Sequence, residues 1–252
     1  MIKAVVSDMD GVLFDTERIS REAWFYTARQ MGIEAQFEPV FLRAIGMNRS
    51  DTREMFLSIY GADFPYETFQ TTSSQKFHEL IEQELPMKPG VYEILSWLCA
   101  HKVATALASS TSKKSVLSHL SRTNLTDFFN DVITGDMVVH SKPHPEIYEM
   151  ACRAIHTAPA DCIAVEDSKN GIRSAFAAGM KPIMIPDQVQ PDDETAALLF
   201  KKYDSLLCLL DDLPALIDCW PLILPPCLFC RAAFFVRPPP PRSAQKSIRP
   251  KK

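Results

Sequence analysis

Asp8 and Asp10 stand two residues apart, directly behind the apolar run Ile2 to Val6, and this junction constrains the fold more than any other stretch. A strand alternates its side chains, so the two acids begin on one side of it. Gly11 then permits a sharp turn. The sequence presents two carboxylates at the carboxyl end of a buried strand, where open α/β sheets place their ligands. Two acids this close in a cleft need a cation between them or well-separated pKa values. A hard divalent cation such as Mg²⁺ suits ligands that are all oxygen. One carboxylate could then serve as a nucleophile and the other as proton donor and acceptor. Read alone, the doublet is also an ordinary acidic turn, so the rest of the chain has to decide.

The arrangement recurs along the chain. Val103 to Leu107 reads as a buried strand, followed by Ala108, Ser109, Ser110 and Thr111 ahead of a helix near Lys113 to Leu120. Hydroxyls there can donate to an anion or cap the helix. Ser110, Thr111 and Ser112 suit the cap, whereas Ser109, nearest the strand, suits a ligand. Asp131 to Thr134 reads as a third strand. Beyond it, Pro143 and Pro145 hold Lys142 on a stiff loop, and Pro145 can open a helix through Ile155. A lysine so fixed could neutralise acids and a phosphoryl group, although most lysines are simply solvated. Cys162 to Val165 is a fourth strand, ended by Glu166-Asp167-Ser168 and a helix from Ile172 to Ala178. By itself, Asp167 or Ser168 there is a helix cap. Lys181 to Ile185 makes a fifth strand. A helix over Asp193 to Lys202, a short strand near Leu206 to Leu209 and a helix from Leu210 to Ile217 are expected to complete the core.

Asp-x-Asp-Gly, a strand-end Ser, Lys-Pro and Glu-Asp, in this order and each after a strand, resemble the haloacid dehalogenase superfamily. Asp10 through Glu17 (DGVLFDTE) and Val165 to Ser168 (VEDS) resemble its β-phosphoglucomutase and sugar-phosphate phosphatase branch. The resemblance implies a doubly wound, mainly parallel, Rossmann-like α/β core with an inserted helical cap. The core would comprise residues 1–16 and 86–218, and the cap residues 17–85. The implied activity is Mg²⁺-dependent hydrolysis of a small phosphorylated metabolite, such as a sugar phosphate, through an aspartyl-phosphate. Asp8 takes the nucleophile's place and Asp10 that of the acid/base. Ser109 and Lys142 would bind the phosphoryl oxygens. Asp8, the carbonyl of Asp10, Glu166 and Asp167 would hold the metal. Ser7 departs from the pattern, since the family carries a large apolar residue there. Its side chain is expected to point away from Asp8 into packing, where a buried hydroxyl needs a partner.

The stretch after Glu17 reads as helical. Glu22 to Met31 is closed by Gly32, Arg53 to Tyr60 by Gly61, and Thr71 to Leu85 forms a long polar-faced helix. In the family such a cap closes over the site and excludes water. Arg43 to Arg49 resembles the mutase segment that meets substrate, and Arg49 matches an arginine for a distal phosphate. Arg49 also reads as a solvated residue near a helix start. Ser20 and Ile45 stand where the mutase has histidine and lysine, which favours hydrolysis over phosphotransfer to a sugar. A phosphoglucomutase and a non-catalytic phosphometabolite-binding scaffold are the rival readings.

Composition excludes other classes. From Arg231 onward there are seven Lys or Arg and no acid, so residues 1–230 hold 20 basic against 31 acidic side chains. A globular part this acidic is not expected to bind nucleic acid. With strand and nucleophile opening the chain, a cytoplasmic enzyme is expected. The seven scattered cysteines fit thiols in a reducing compartment, and Cys227-x-x-Cys230 reads as incidental. Residues 219–252 read as a proline-rich, basic, disordered tail. Its apolar part is broken by Pro221, Pro225 and Pro226, so no membrane span is expected.

Overall fold

The computed structural model describes residues 2–45, 47 and 49–217. The tail beyond, with its Cys-x-x-Cys and basic end, lies outside the described residues. So do Gly46 and Asn48 of the cap segment. Strand β1 (Ala4–Ser7) leads into helices α1 (Thr16–Gln30), α2 (Phe37–Ala44), α3 (Arg49–Tyr60) and α4 (Tyr66–Gln83). The chain continues through α5 (Val91–Ala100), β2 (Ala104–Ser109), α6 (Lys113–Arg122), β3 (Asp131–Thr134) and α7 (Glu146–Ala154). It then forms β4 (Cys162–Glu166), α8 (Lys169–Ala177), β5 (Lys181–Met184), α9 (Asp193–Leu198), β6 (Lys201–Lys202) and α10 (Leu206–Leu216).

Among the described residues, six strands form one sheet in the order β3-β2-β1-β4-β5-β6, and every pairing is parallel. Parallel strands need both faces covered, and the sequence supplies two different faces. Val5, Leu107, Ile163, Val165 and Ile183 pack on one side with leucines of α5 and α10. Ala4, Ala106, Ala108 and Ala164 face the other side, against Ile147, Tyr148 and Ala151 of α7. Small side chains on that face let α7 approach the sheet closely. Order along the sheet reverses at β1, which lies between β2 and β4. The crevice at that switch point is where such sheets bind ligands.

Helices α1 to α4 are inserted between β1 and α5 and have their own core. Trp24, Phe37, Phe41, Phe56 and Phe69 meet mostly edge to face, with Phe56 and Phe69 centroids 4.8 Å apart. Such geometry suits the ring quadrupole. The outgoing and returning chains run side by side. Asp15 N–H donates to Pro86 O and Lys88 N–H to Leu13 O, each at 2.9 Å. Lys88 Nζ also bridges Asp15 (3.1 Å) and Asp187 (2.7 Å), tying both connections to the loop after β5. Arg122 of α6 adds a tie by donating to the carbonyls of Ile81 and Glu82 at the end of α4.

The structure corrects the last elements expected from sequence. The run Leu206 to Leu209 is helical, not a strand. Ser205 Oγ accepts from Cys208 N and caps α10, and Leu206, Leu209 and Leu213 are buried at helical spacing. The last strand among the described residues is Lys201–Lys202, within the stretch expected to continue α9. Among the described residues it is an edge strand that pairs only with β5, and lysine is a common edge residue. Helices α1, α3 and α4 also begin earlier than expected: the first turn of α3 is polar, whereas α4 opens with Tyr66 and Phe69 buried among the aromatic rings. No helix among the described residues is long and apolar enough to cross a membrane.

Candidate active site

The residues singled out at strand ends meet at the carboxyl edge of the sheet. Asp8 follows β1, and its N–H donates to Val165 O of β4 at 2.9 Å. Ser109 and Glu166 are the final residues of β2 and β4. Lys142 enters from the loop between β3 and α7. Its Nζ donates to Asp8 Oδ1 and Glu166 Oε1, each at 2.6 Å, and to Ala108 O at 3.0 Å. Only 7% of the Lys142 side chain is exposed, so these charge-assisted bonds are largely shielded from water. The Ser7 hydroxyl is satisfied locally by donating to the Asp8 carbonyl at 2.7 Å.

Asp167 completes an acidic group. Asp8, Glu166 and Asp167 each offer a carboxylate oxygen, all within 4.8 Å of one another. Two glycines make room for them. A Cβ on Gly11 would stand 2.1 Å from Asp167 Oδ2, and Gly11 has φ +77°. A Cβ on Gly171 would stand 1.9 Å from the Glu166 carboxyl carbon. A side chain at either place would have to displace the carboxylate.

Electrostatics follow from burial. Burial pushes the Asp8 carboxyl up to about 8; Lys142 opposes the rise, while Glu166 and Asp10 add to it. Burial, then Glu166 and Asp8, hold Asp167 well above the usual carboxylate range. Burial lowers the Lys142 pKa, but Asp8 and Glu166 together outweigh it and raise the ammonium above its ordinary value. Asp8 and Glu166 thus share one lysine, and Asp167 adds a third carboxylate beside them. An all-oxygen donor set with surplus negative charge fits a hard divalent cation.

A pH-dependent response to Mg²⁺ is therefore expected. The folded Asp8 pKa lies above its ordinary 3.8, so without metal the folded state binds the extra proton. Stability from this group is full at low pH and is lost as pH rises from about 4 to about 8. Asp167 shifts in the same direction. A cation needs the ionised carboxylates, so protons compete with it. The rise in melting temperature on adding Mg²⁺ should be small at pH 5 and largest near pH 8. Thermal melts with Mg²⁺ or EDTA across that range check this; a pH-independent shift would contradict it.

Asp10 is held apart from that group. Its Oδ1 accepts from Thr16 Oγ1 (2.9 Å) at the start of α1, and its Oδ2 from Thr111 Oγ1 (2.8 Å) after β2. Ser109 is fully buried, and its Oγ accepts from Thr111 N at 3.1 Å. Arg49 opens α3 with its side chain 69% exposed and pairs with Glu67 at 2.8 Å, not with a strand-end residue. Sequence reasoning missed Thr16 and Tyr148, and read Thr111 only as a cap. Tyr148 is fully buried and its hydroxyl donates to Glu166 Oε1 at 2.6 Å. Its one sequence signal is its place on the first turns of the helix that follows the Lys142 loop. The cap of α8 is Ser168, whose Oγ accepts from Gly171 N.

Residues 5–185 match the family model described as haloacid dehalogenase-like hydrolase. The chain is 30% identical over 182 residues to a phosphorylated carbohydrates phosphatase of Thermotoga maritima, covering 72% of this chain and 84% of that protein. It is 28% identical to β-phosphoglucomutase of Bacillus subtilis, covering 81% of this chain and 96% of that enzyme. Among solved structures, CbbY from Rhodobacter sphaeroides in complex with phosphate superposes with TM-score 0.64 at 26% identity, covering 82% and 95% of the two chains.

Proposed function

The chain belongs to the haloacid dehalogenase-like hydrolase family and is a phosphatase, and from that premise we propose that it hydrolyses a small phosphomonoester, a sugar phosphate by class, through an aspartyl-phosphate on Asp8. The observation that carries this reading is the buried Asp8 carboxylate, with Lys142 2.6 Å from its Oδ1 and Asp167 and Glu166 beside it.

Asp8 attacks phosphorus in line with the ester oxygen. The P–O bond to the leaving alcohol breaks as the bond to Asp8 forms. Asp10 gives its proton to the departing oxygen, then takes one from the water that cleaves the aspartyl-phosphate. Inorganic phosphate leaves and the Asp8 carboxylate is restored. Charge spread over three phosphoryl oxygens calls for fixed positive charge and donors. Lys142 supplies charge. Ser109 uses its oxygen to accept from Thr111, which leaves its proton for a phosphoryl oxygen. Asp8, Asp167 and the Asp10 carbonyl, with Glu166 adjoining, would hold Mg²⁺. When bound, Mg²⁺ offsets negative charge between Asp8 and the phosphate dianion.

Phosphate release from a panel of sugar phosphates, with Mg²⁺ or EDTA, tests this function. Turnover should require Mg²⁺; equal turnover in EDTA would sink it. With β-glucose 1-phosphate and a bisphosphate primer, free phosphate is expected rather than glucose 6-phosphate. Ser20 and Ile45, at the mutase's histidine and lysine positions, support that outcome.

A further inference from the structure

Glu166 has no acceptor position to spare. A carboxylate offers about four lone-pair sites. Oε1 accepts from Tyr148 Oη and Lys142 Nζ, each at 2.6 Å. Oε2 accepts from Ser168 N at 3.2 Å and Ser168 Oγ at 3.0 Å. Glu166 is wholly buried, so every one of those bonds is made away from bulk water. Lys142 directs its ammonium at Asp8, Glu166 and Ala108 O, which fixes where its charge stands beside Asp8. Tyr148 also places its ring 5.0 Å from the ammonium, so it faces Lys142 and Glu166 at once. Gly171 is the only residue type that leaves space for the carboxylate in this position.

We propose that Tyr148 and Glu166 are a positioning pair for Lys142, and that Glu166 anchors the ammonium against Asp8 instead of binding the metal directly. A cation taking either oxygen of Glu166 would have to break one of those four bonds. Losing Tyr148 Oη or Ser168 would leave a buried polar group without its partner, which is costly. Among the described residues no such set of donors meets Asp167, which stands against Gly11, so the direct ligands are left as Asp8 and Asp167 among the carboxylates. The proposal deepens the phosphatase reading, and relies on it only for the identity of the anion that Lys142 meets.

The test separates metal affinity from anion affinity in the full chain. Calorimetry with Mg²⁺ alone, and with inorganic phosphate in the presence of Mg²⁺, is run on wild type, Tyr148→Phe, Glu166→Gln and Asp167→Asn. Tyr148→Phe should keep the Mg²⁺ Kd within about threefold while phosphate binding weakens about 10–100-fold, the range for groups that orient a site. Glu166→Gln should weaken phosphate binding at least as much, with Mg²⁺ affinity reduced only by the lost neighbouring charge, whereas Asp167→Asn should lose Mg²⁺ affinity outright. Gly171→Ala, which pushes Glu166 aside, should reproduce the Tyr148→Phe pattern. Tyr148→Phe removes one hydroxyl, so it decides the matter if the other variants do not fold. The proposal is overturned if Tyr148→Phe weakens Mg²⁺ binding tenfold or more, if Glu166→Gln loses Mg²⁺ as fully as Asp167→Asn, or if phosphate affinity does not move. Neither titration requires turnover, so failure of the hydrolysis assay would count against the phosphatase reading and not against this pair.

Discussion

Asp8→Asn is expected to lower kcat by a factor on the order of 10⁴ to 10⁶, the range seen when a nucleophile that acts as part of a unit is removed. An amide cannot form the acyl-phosphate, so only direct attack by water remains. The same change should leave the fold standing. Asp8 is 7% exposed, and burial already pushes its carboxyl up to about 8, so the folded metal-free protein favours an uncharged group there. Lys142 keeps Glu166 and the Ala108 carbonyl as partners. Its melting temperature in EDTA at pH 7.5 should therefore equal or exceed that of the wild type. In Mg²⁺ the order should reverse, because one of the cation's carboxylates has gone. Phosphate release and melting curves with and without Mg²⁺ measure both effects. Retention of more than about 1% of activity would remove Asp8 from the role of nucleophile.

What the sequence disclosed about this site was set by how chemistry is attached to strands. Asp8, Ser109, Glu166 and Asp167 end apolar runs of four to six residues, so their position in the sheet follows from the alternation of the run itself. Lys142 was visible because Pro143 and Pro145 fix its loop. Tyr148 was not, since it reads as one more apolar residue on an amphipathic helix, and its hydroxyl matters only because α7 lies against the alanine face of the sheet. Thr16 and Thr111 act on Asp10 from segments 95 residues apart in sequence, and neither has a local pattern beyond a helix start. The same limit applies to Lys88, whose partners Asp15 and Asp187 lie on separate loops. Apolar runs misled at Leu206 to Leu209, where leucines suit either a strand or a helix until Ser205 is seen to cap the latter. Local sequence thus carries the strand-end groups, whereas groups that orient them depend on tertiary packing.

Lys142→Met tests the electrostatic balance of the whole cluster. Methionine keeps most of the apolar stem but removes the cation from between Asp8 and Glu166, whose side chains are 10% and 0% exposed. Taking one partner from a buried ion pair typically costs about 3–5 kcal/mol, because the remaining charge stays buried without compensation. Here two carboxylates lose that partner at once. The loss should be fullest at pH 8 in EDTA, where Asp8 is ionising, and should shrink at pH 5, where it holds its proton. Mg²⁺ should restore part of it. Activity should fall by about 10²–10³ in kcat even in saturating Mg²⁺, as expected for a charged group facing the transferring phosphoryl. The double variant Lys142→Met with Glu166→Gln separates the two effects. It removes an anion together with the cation, so stability should recover while activity does not. Urea unfolding at both pH values and steady-state kinetics measure these outcomes. A single-variant loss below about 1 kcal/mol at pH 8 in EDTA would mean that Asp8 and Glu166 do not depend on Lys142 for their charge balance.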